Sequence, residues 1–408
     1  MRTDGVRGDE GDLPDALIEK VEQLARQLDA MRAAHQQTSA ENGLSRAQLG
    51  TALADSLVAR ARIEDEARDL AFAGYQESAS RRALSRSVRL DRRLDGRLAR
   101  FRSIGRALVI ERSGLWEDAA AGRLGRLRAI AAYARRGGDP AVQPNALFDQ
   151  AWYLAQRPDI AGSGTSPLVH YLLRGAGEGV DPHPLFRSSY YAERAGGELG
   201  GLTPLEHFVR FGAAEGRAPH PLFDIRYYVR QARDLITSGE NPLAHYMREG
   251  AARGLSPHPL FDAPFYRAQV EKAGLTGEAS LAHYLTEGSA KGLKPHPLFD
   301  PAWYRERHPD IAESGLEPLV HYVLGGGGEG RLPSPWFDAP RYMALRGDGL
   351  AGRNPLLDYL EGGAWAVAEP WPGKAELGFL SAAAEFAQSG VTPLEHWARQ
   401  GADQIPSA

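Results

Sequence analysis

Apolar residues in the first 80 positions recur at helical spacing. Between Leu17 and Met31 the Leu, Val and Met residues are 4, 3, 4 and 3 positions apart, which is the heptad spacing of a coiled coil. A second apolar series over residues 49–70 follows a turn signal at residues 42–43. The pattern predicts a disordered tail over residues 1–12 and a coiled-coil-like helical region over residues 13–80. Since neither helix has another core, we expect a homo-oligomer, with an antiparallel helix pair as the alternative.

The next segment has a basic amphipathic pattern. Residues 81–112 carry eleven arginines and three acidic residues, and apolar residues recur every three or four positions. This predicts a basic amphipathic helical region over residues 81–134, which can lie on an anionic membrane surface or dock on an acidic partner. The plainer alternative is a solvated helix whose arginines pair with the acidic stretch at residues 64–69. The basic surface is expected around Arg92, Arg93, Arg97 and Arg100.

Beyond a linker predicted over residues 135–145, the sequence repeats itself. Phenylalanine marks the same point of six successive copies at spacings of 37 or 38 residues, and such a fixed period indicates a repeat architecture. Apolar and glycine positions persist from copy to copy while charged positions change, which is typical of units that pack against their neighbours. We expect an all-α fold, with an α-solenoid-like array of about seven short two-helix repeats over residues 146–402. The marking residues are Phe148, Phe186, Phe223, Phe261, Phe299 and Phe337.

Each copy contains signals for two helices. An aspartate follows most of the marking phenylalanines and is expected to cap the first helix; Arg187 replaces it in the second copy, where Ser188 or Ser189 is expected to cap instead. A Ser, Thr or Asn before Pro-Leu predicts the start of the second helix, and glycines such as Gly175 are expected to end it in a left-handed conformation. The capping aspartates are Asp149, Asp224, Asp262, Asp300 and Asp338, and the leucines of the second helices are Leu168, Leu205, Leu243, Leu281 and Leu319.

Composition narrows the classes of function. The 408 residues include no cysteine, which excludes disulfide, thiolate and zinc–thiolate chemistry. A net charge of −4 gives no reason to expect a nucleic-acid partner. The first ten residues lack the apolar core of a signal peptide, and no run of about 18 apolar residues predicts a membrane span. We expect a cytoplasmic protein, with peripheral membrane contact through residues 81–112 as an alternative.

Histidine is the main candidate for site chemistry, because eleven of the twelve histidines lie in the array and ten of them form two periodic sets. One set follows Pro-Leu in the second helix, where a ring can pack on aromatic residues; the other lies in a Pro-His-Pro turn. Repeated histidines with aspartates can build metal sites, but structural roles fit this pattern better, and we predict no catalytic residue, metal or cofactor. The face best suited to contact a ligand combines turn histidines with aromatic rings that can stack on a sugar: His183, His220, His258, His296, Trp152 and Trp303.

The fifth copy carries the most complete motif. It reads Phe-Asp-Pro-Ala-Trp-Tyr from Phe299, His-Pro-Asp-Ile-Ala-Glu-Ser-Gly from His308 and Glu-Pro-Leu-Val-His-Tyr from Glu317. This unit resembles repeats that accompany bacterial glycosyltransferases and rhamnan-synthesis-type proteins of surface polysaccharide assembly; related units also occur beside calcium-binding repeats in secreted surface proteins. The resemblance covers about residues 145–402. The transferase domain that those proteins usually carry has no counterpart in this sequence, so the resemblance implies no catalytic residue.

The residues and the resemblance together lead to a functional hypothesis. We expect a non-enzymatic scaffold or adaptor linked to bacterial surface polysaccharide biosynthesis, which oligomerises or attaches through its N-terminal helices and binds protein partners such as a glycosyltransferase. A carbohydrate-binding repeat protein is the first alternative, with a glycan on the histidine and aromatic face. A glycosyltransferase-related enzyme with an unrecognised active site is the second.

Overall fold

The computed structural model of the chain has the all-α repeat fold that the sequence predicts. It describes positions 23, 26, 27 and 30, and then residues 46–85, 102–116, 122–136, 143–161, 163–275, 277–366 and 391–400. Within these ranges the only β-type pairing consists of isolated bridges in turns. Two compact units are present. The larger contains residues up to 74, residues 229–236 and residues from 256 on; the smaller contains residues 75–228 and 237–255.

A single 40-residue helix, Arg46–Ser85, covers the second half of the predicted coiled-coil-like region. In the larger unit its Arg68 pairs with Glu361 of the array at 3.2 Å. In the smaller unit Gln76 donates to the carbonyl of Ala214 at 2.9 Å. The buried apolar side chains of the helix are Leu57, Ala71, Phe72, Tyr75 and Ala79. The interpretation that this helix lacks a core is therefore wrong for its second half, which packs on the repeats; the predicted tail lies outside the described residues.

Two further helices, Arg102–Ser113 and Gly122–Arg136, precede the array. The first ends against Arg210, whose guanidinium donates to the backbone carbonyls of Arg112 and Ser113, the latter at 2.8 Å. A cation at this place stabilises a helix, because the last carbonyls carry the negative end of the helix dipole. The predicted basic surface at Arg92, Arg93, Arg97 and Arg100 lies outside the described residues.

A repeat consists of a first helix, a connecting loop and a second helix that begins near Pro-Leu. The first helices are Gln150–Gln156, Ser188–Arg194, Ile225–Gln231, Ala263–Lys272, Pro301–Arg307 and Ala339–Arg346. The second helices begin with Pro167–His170, Pro204–His207, Pro242–His245, Leu281–His283, Pro318–His321, Pro355–Leu360 and Pro393–Gln400. The connections also contain Pro158–Ala161, Asp234–Ser238, Asp310–Ser314 and the 3-10 turns Gly347–Leu350 and Gly363–Ala366. The repeats are numbered one to seven in this order, and repeat seven is described only in its second helix.

In repeats one to five the second helix continues into a π-helical turn. These turns are Tyr171–Gly175, Phe208–Gly212, Tyr246–Gly250, Tyr284–Gly288 and Tyr322–Gly326. Their hydrogen bonds reach five residues back, as from the N–H of Ala251 to the carbonyl of Tyr246 at 2.9 Å. The prediction that Gly175 and its equivalents are left-handed is wrong. The left-handed residues are later glycines with φ between +72° and +76°, namely Gly179, Gly216, Gly254, Gly292 and Gly330.

The glycine that ends each π turn is required for space rather than for its backbone angle. A tyrosine hydroxyl from the first helix of the same repeat lies where a Cβ would stand. A Cβ built on these glycines would lie only 1.7 to 2.2 Å from that hydroxyl oxygen, far inside van der Waals contact. The glycines concerned are Gly175, Gly212, Gly250, Gly288 and Gly326.

Three aromatic rings form the core of each of repeats one to five: the marking phenylalanine, the tyrosine of the first helix and the ring that starts the π turn. In repeat four, the centroids of Phe261 and Tyr266 are 5.2 Å apart, and Tyr266 meets Tyr284 edge-on at 5.7 Å. Edge-to-face contacts of this kind add to the stabilisation from burial. The ring of the π turn also ties neighbouring repeats, since the hydroxyl of Tyr171 accepts from the N–H of Leu205 at 3.3 Å.

We expect Gly326→Ala to destabilise the larger unit by about 3 kcal/mol, because the new methyl group collides with the Tyr304 hydroxyl and forces it away from its hydrogen-bond partner. The matched control is Gly325→Ala, one residue earlier in the same turn. There a Cβ has 3.6 Å to its nearest neighbour, so alanine should be neutral or stabilise by up to about 1 kcal/mol. Urea unfolding of the two variants measures the difference, and equal stabilities would contradict the packing argument.

A double-mutant cycle gives a sharper test of the same contact. Tyr304→Phe removes the oxygen that the new Cβ would meet, so Tyr304→Phe/Gly326→Ala should be less destabilised than the sum of the two single variants by about 1 kcal/mol or more. Strict additivity would mean that the two positions do not share this space.

Candidate functional site

The histidines of the second helices are joined to the tyrosines of the first helices. In each of repeats one to five the tyrosine hydroxyl lies 2.7 to 3.1 Å from the histidine Nδ1. The pairs are Tyr153–His170, Tyr191–His207, Tyr228–His245, Tyr266–His283 and Tyr304–His321. This hydroxyl is also the group that excludes a side chain from the π-turn glycine. Tyrosine, histidine and glycine therefore form one structural cluster in each of these repeats.

Burial sets the charge state of three of these clusters. It lowers the pKa of His170, His207 and His321 below the ordinary histidine value, with nearby arginines and acids as smaller causes. Burial raises the pKa of their partner tyrosines, Tyr153, Tyr191 and Tyr304. In these three pairs both groups are therefore neutral at pH 7, and their hydrogen bonds hold the repeats without a buried charge.

Repeat six replaces the histidine by Asp358, which is 1% exposed. The hydroxyl of Tyr342 donates to this carboxylate at 2.6 Å, and so does Nε of Arg346 at 2.6 Å. Arg353 adds a second guanidinium at 3.1 Å. The charge that a buried carboxylate introduces is thus balanced by two arginines that the other repeats do not need.

The turn histidines also have structural bonds. Their Nδ1 accepts from the backbone N–H two residues later at 3.0 to 3.2 Å in all four turns. His220, His258 and His296 are 5% exposed or less, so the exposure that their turn position suggested is wrong for these three. His183 is only partly buried. The ligand-contact prediction for these rings thus has one open candidate, at the turn between repeats one and two.

Backbone bonds at the same turns join successive repeats. The N–H of Asp149 donates to the carbonyl of Pro182 at 2.8 Å, and that of Asp262 donates to Pro295 at 2.8 Å. Each predicted capping aspartate accepts from the first turn of its helix, which confirms the caps at Asp149, Asp224, Asp262, Asp300 and Asp338. All five predicted leucines, Leu168, Leu205, Leu243, Leu281 and Leu319, are fully buried.

The second repeat lacks the capping aspartate, and the start of its first helix differs from the prediction. Neither Ser188 nor Ser189 is the N-cap, and Arg187 occupies that position without a side-chain bond. Asp181 of the preceding loop accepts from the N–H of Ser188 at 2.7 Å instead. Burial raises the pKa of this carboxyl. Asp181 lies before this helix, so the sequence of the helix itself does not indicate the bond.

The predicted aromatic ligand residues, Trp152 and Trp303, lie at the start of the first helices and are partly buried. The guanidinium of Arg307 stands 5.9 Å from the Trp303 ring. The indole N–H of Trp152 is buried and has no hydrogen-bond partner among the described residues. Each ring lies beside the cap and turn of its own repeat.

Surface ion pairs gather around an arginine in three repeats. Arg157 binds Asp159 and Glu178, the first at 2.8 Å. The same arrangement recurs around Arg217 and Arg331, with changed acid positions. Exposed pairs of this kind add little stability, so they define the surface of each repeat rather than its fold.

Comparison with known proteins gives no relative: no protein-family model, no curated protein and no solved structure matches the chain. No helix among the described residues has the length and apolar character that a membrane crossing needs.

Stability should fall as the pH is lowered from about 6.5 to 5.5. Unfolded histidines take up protons below about 6.5, whereas burial lowers the pKa of His170, His207 and His321 in the folded chain and of His183 to about 4. The unfolded state then binds more protons, so each such histidine lowers the stability as the pH falls, by at most about 1.4 kcal/mol per pH unit. Thermal unfolding over this range, with proton uptake from calorimetry in two buffers, measures the effect.

The variant His170→Gln/His207→Gln/His321→Gln serves as the control for the pH effect. Glutamine can still accept from the tyrosine hydroxyl but does not titrate, so the pH slope should shrink. A slope that persists unchanged would assign the effect to other groups.

Arg346→Ala should destabilise repeat six by about 3 kcal/mol, because it leaves the buried Asp358 carboxylate short of its main counter-charge. Arg353→Ala is the matched control: its side chain is 48% exposed, so the loss should stay below about 1 kcal/mol. Adding Asp358→Asn to the Arg346→Ala variant should restore part of the stability in urea unfolding. If Arg346→Ala unfolds like the wild type, the carboxylate does not depend on this pair.

Proposed function

We propose that this protein is a non-enzymatic scaffold for protein partners in bacterial surface polysaccharide assembly. The proposal rests on one observation: the periodic polar residues form hydrogen bonds within the protein. The second-helix histidines bind tyrosines, the turn histidines accept from the backbone, and the capping aspartates hold helix N-termini. The residue types that could serve chemistry are thus engaged in joining helices and repeats.

The variable parts of the repeats are the charged surfaces. Repeat one presents Arg157 between two acids, whereas repeat three presents Arg248 with Glu240 and Glu249. Repeat four presents the helix pair of Lys291 with Glu287 at 2.8 Å. A constant core with a different charge pattern on each repeat suits an array whose successive repeats meet different parts of a protein partner.

The link to polysaccharide assembly rests on the repeat motif itself. The Phe-Asp, Pro-Leu-x-His-aromatic and Pro-His-Pro-Leu-Phe elements resemble repeats that accompany bacterial glycosyltransferases. On this proposal the array binds a glycosyltransferase, and the N-terminal helices hold copies of the scaffold together or attach it to the membrane surface. The basic segment at residues 81–112 supports the membrane arm of this proposal through its charge alone.

A glycan-binding role is the second candidate, supported by the partly exposed rings at the start of the first helices. Arginine covers two of these rings: Arg194 lies 4.6 Å from the Tyr190 ring and Arg307 lies 5.9 Å from the Trp303 ring. A sugar would have to displace a cation–π contact to stack there. We therefore place protein binding first.

The test uses the full-length protein in its own bacterial host. Deleting the gene should reduce surface polysaccharide, and a tagged chain cross-linked in the cell should recover a glycosyltransferase. The wild type and Gly325→Ala should restore the polysaccharide, whereas the destabilised Gly326→Ala should not. Unchanged polysaccharide after deletion would sink the proposal, and purified chain that binds the polysaccharide without any transferase would favour the glycan role.

A further inference from the structure

The second helix of repeat seven, Pro393–Gln400, is docked on repeats four and five of the larger unit. Its Arg399 pairs with the carboxylate of Asp262 and lies 5.7 Å from the Phe265 ring. Its Glu395 lies with Oε1 3.3 Å from Nε2 of His296. Glu395 and Arg399, four positions apart on this helix, thus contact one junction between repeats. The residues contacted there are His296, Asp262 and Phe265.

The chemistry of this junction follows from its hydrogen bonds. Nδ1 of His296 accepts from the N–H of Leu298 at 3.2 Å, so Nε2 carries the proton of the neutral ring and needs an acceptor. Burial alone would raise the pKa of Glu395, but hydrogen bonds from His296 and Thr392 hold it below the ordinary value. Asp262 uses Oδ1 to cap its helix and offers Oδ2 to a cation, which the neighbouring ring face also attracts.

Repeat one repeats this junction in the smaller unit. Asp149, Trp152 and His183 have the same sequence spacings as Asp262, Phe265 and His296. Asp149 caps through Oδ1 to the N–H of Trp152 at 3.0 Å. The N–H of Asp149 binds the turn carbonyl at 2.8 Å, as that of Asp262 does. Nδ1 of His183 accepts from the backbone N–H of Leu185 at 3.0 Å, so its Nε2 is again a donor.

The junction of repeat one differs in having no covering helix among the described residues. His183 is partly exposed, whereas His296, beneath Glu395, is 2% exposed. Among the described residues, nothing accepts from Nε2 of His183, and no cation pairs with the Asp149 carboxylate.

Repeats two and five do not form such a surface. Repeat two has Arg187 in place of the acid. Repeat five has Ser334 in place of the turn histidine, and Lys294 already pairs with Asp300 at 2.8 Å. These differences make Trp303, the aromatic residue of repeat five, a control position for Trp152.

We propose that the surface formed by Asp149, Trp152 and His183 is a docking site for a partner protein's helix that carries glutamate and arginine four residues apart. The glutamate accepts from Nε2 of His183, as Glu395 does from His296. The arginine pairs with Asp149 over the indole of Trp152, as Arg399 does with Asp262 over Phe265. The inference goes beyond the proposed scaffold role, because it stands on contacts within the chain and needs no link to polysaccharide.

The test measures binding of a helix-constrained, fluorescent peptide with the sequence of residues 391–400, blocked at both ends, to the full-length protein. We expect saturable binding that Asp149→Asn and Trp152→Ala each weaken about tenfold or more. Asparagine still caps the helix, so Asp149→Asn removes only the charge. Trp303→Ala should leave the affinity unchanged, and so should Asp262→Asn, because the site is at repeat one. A peptide with alanine in place of its arginine should bind at least tenfold more weakly.

Three results would overturn the proposal. The first is no binding to the wild type. The second is equal binding to wild type and Trp152→Ala while the variant keeps the wild-type unfolding temperature. The third is a loss of binding in Asp262→Asn but not in Asp149→Asn, which means that the peptide replaces the chain's own helix. A dimer in sedimentation that Trp152→Ala abolishes would assign the surface to a second copy of this chain instead of a partner.

Discussion

A tyrosine hydroxyl held against a histidine ring nitrogen, above a glycine that leaves it room, is the contact on which the array depends. The bond joins the two helices of a repeat, and the same tyrosine ring packs edge-on against the ring that starts the π turn. Removing any one member disturbs the other two, because the hydroxyl fills the space of the missing Cβ. Short helices of three to ten residues could not hold their positions without such a contact, since isolated helices of this length are marginal in water.

The sequence was sufficient for the architecture, because the signals for it are local. Asp149 and its equivalents stand directly before the helices they cap, and Leu168 and its equivalents are constant in kind and buried. The π turn could not be predicted, because Gly250 looks like a helix end unless one knows that Tyr228, 22 residues earlier, occupies its side-chain space. Asp181, Arg346 and Arg353 could not be predicted either. Asp181 lies in the loop before the helix whose N–H it accepts from, and the two arginines pair with Asp358, which replaces a periodic histidine.

At the candidate site, too, the sequence indicates some features and not others. The periodic pattern selected the turn histidines and the aromatic positions as a group, but it could not rank them. His183 and His296 stand in the same Pro-His-Pro-Leu-Phe motif, which does not reveal that a later helix covers His296. That helix lies about 100 residues further along the chain. Glu395 and Arg399 of that helix also show which side chains a partner needs, and the turn alone does not specify them.

The number of residues between the first-helix tyrosine and its partner varies among the repeats. The number of residues between the second-helix histidine and the following turn histidine does not vary. Sixteen residues separate Tyr191 from His207 and Tyr342 from Asp358, against seventeen in the other pairs. Histidine and turn histidine stay thirteen apart in four copies. Evolution can therefore shorten or lengthen the loop after the first helix, which in repeat two holds four left-handed glycines, without disturbing the register of the array. Each repeat has one segment that is free to diversify and one that must be inherited intact.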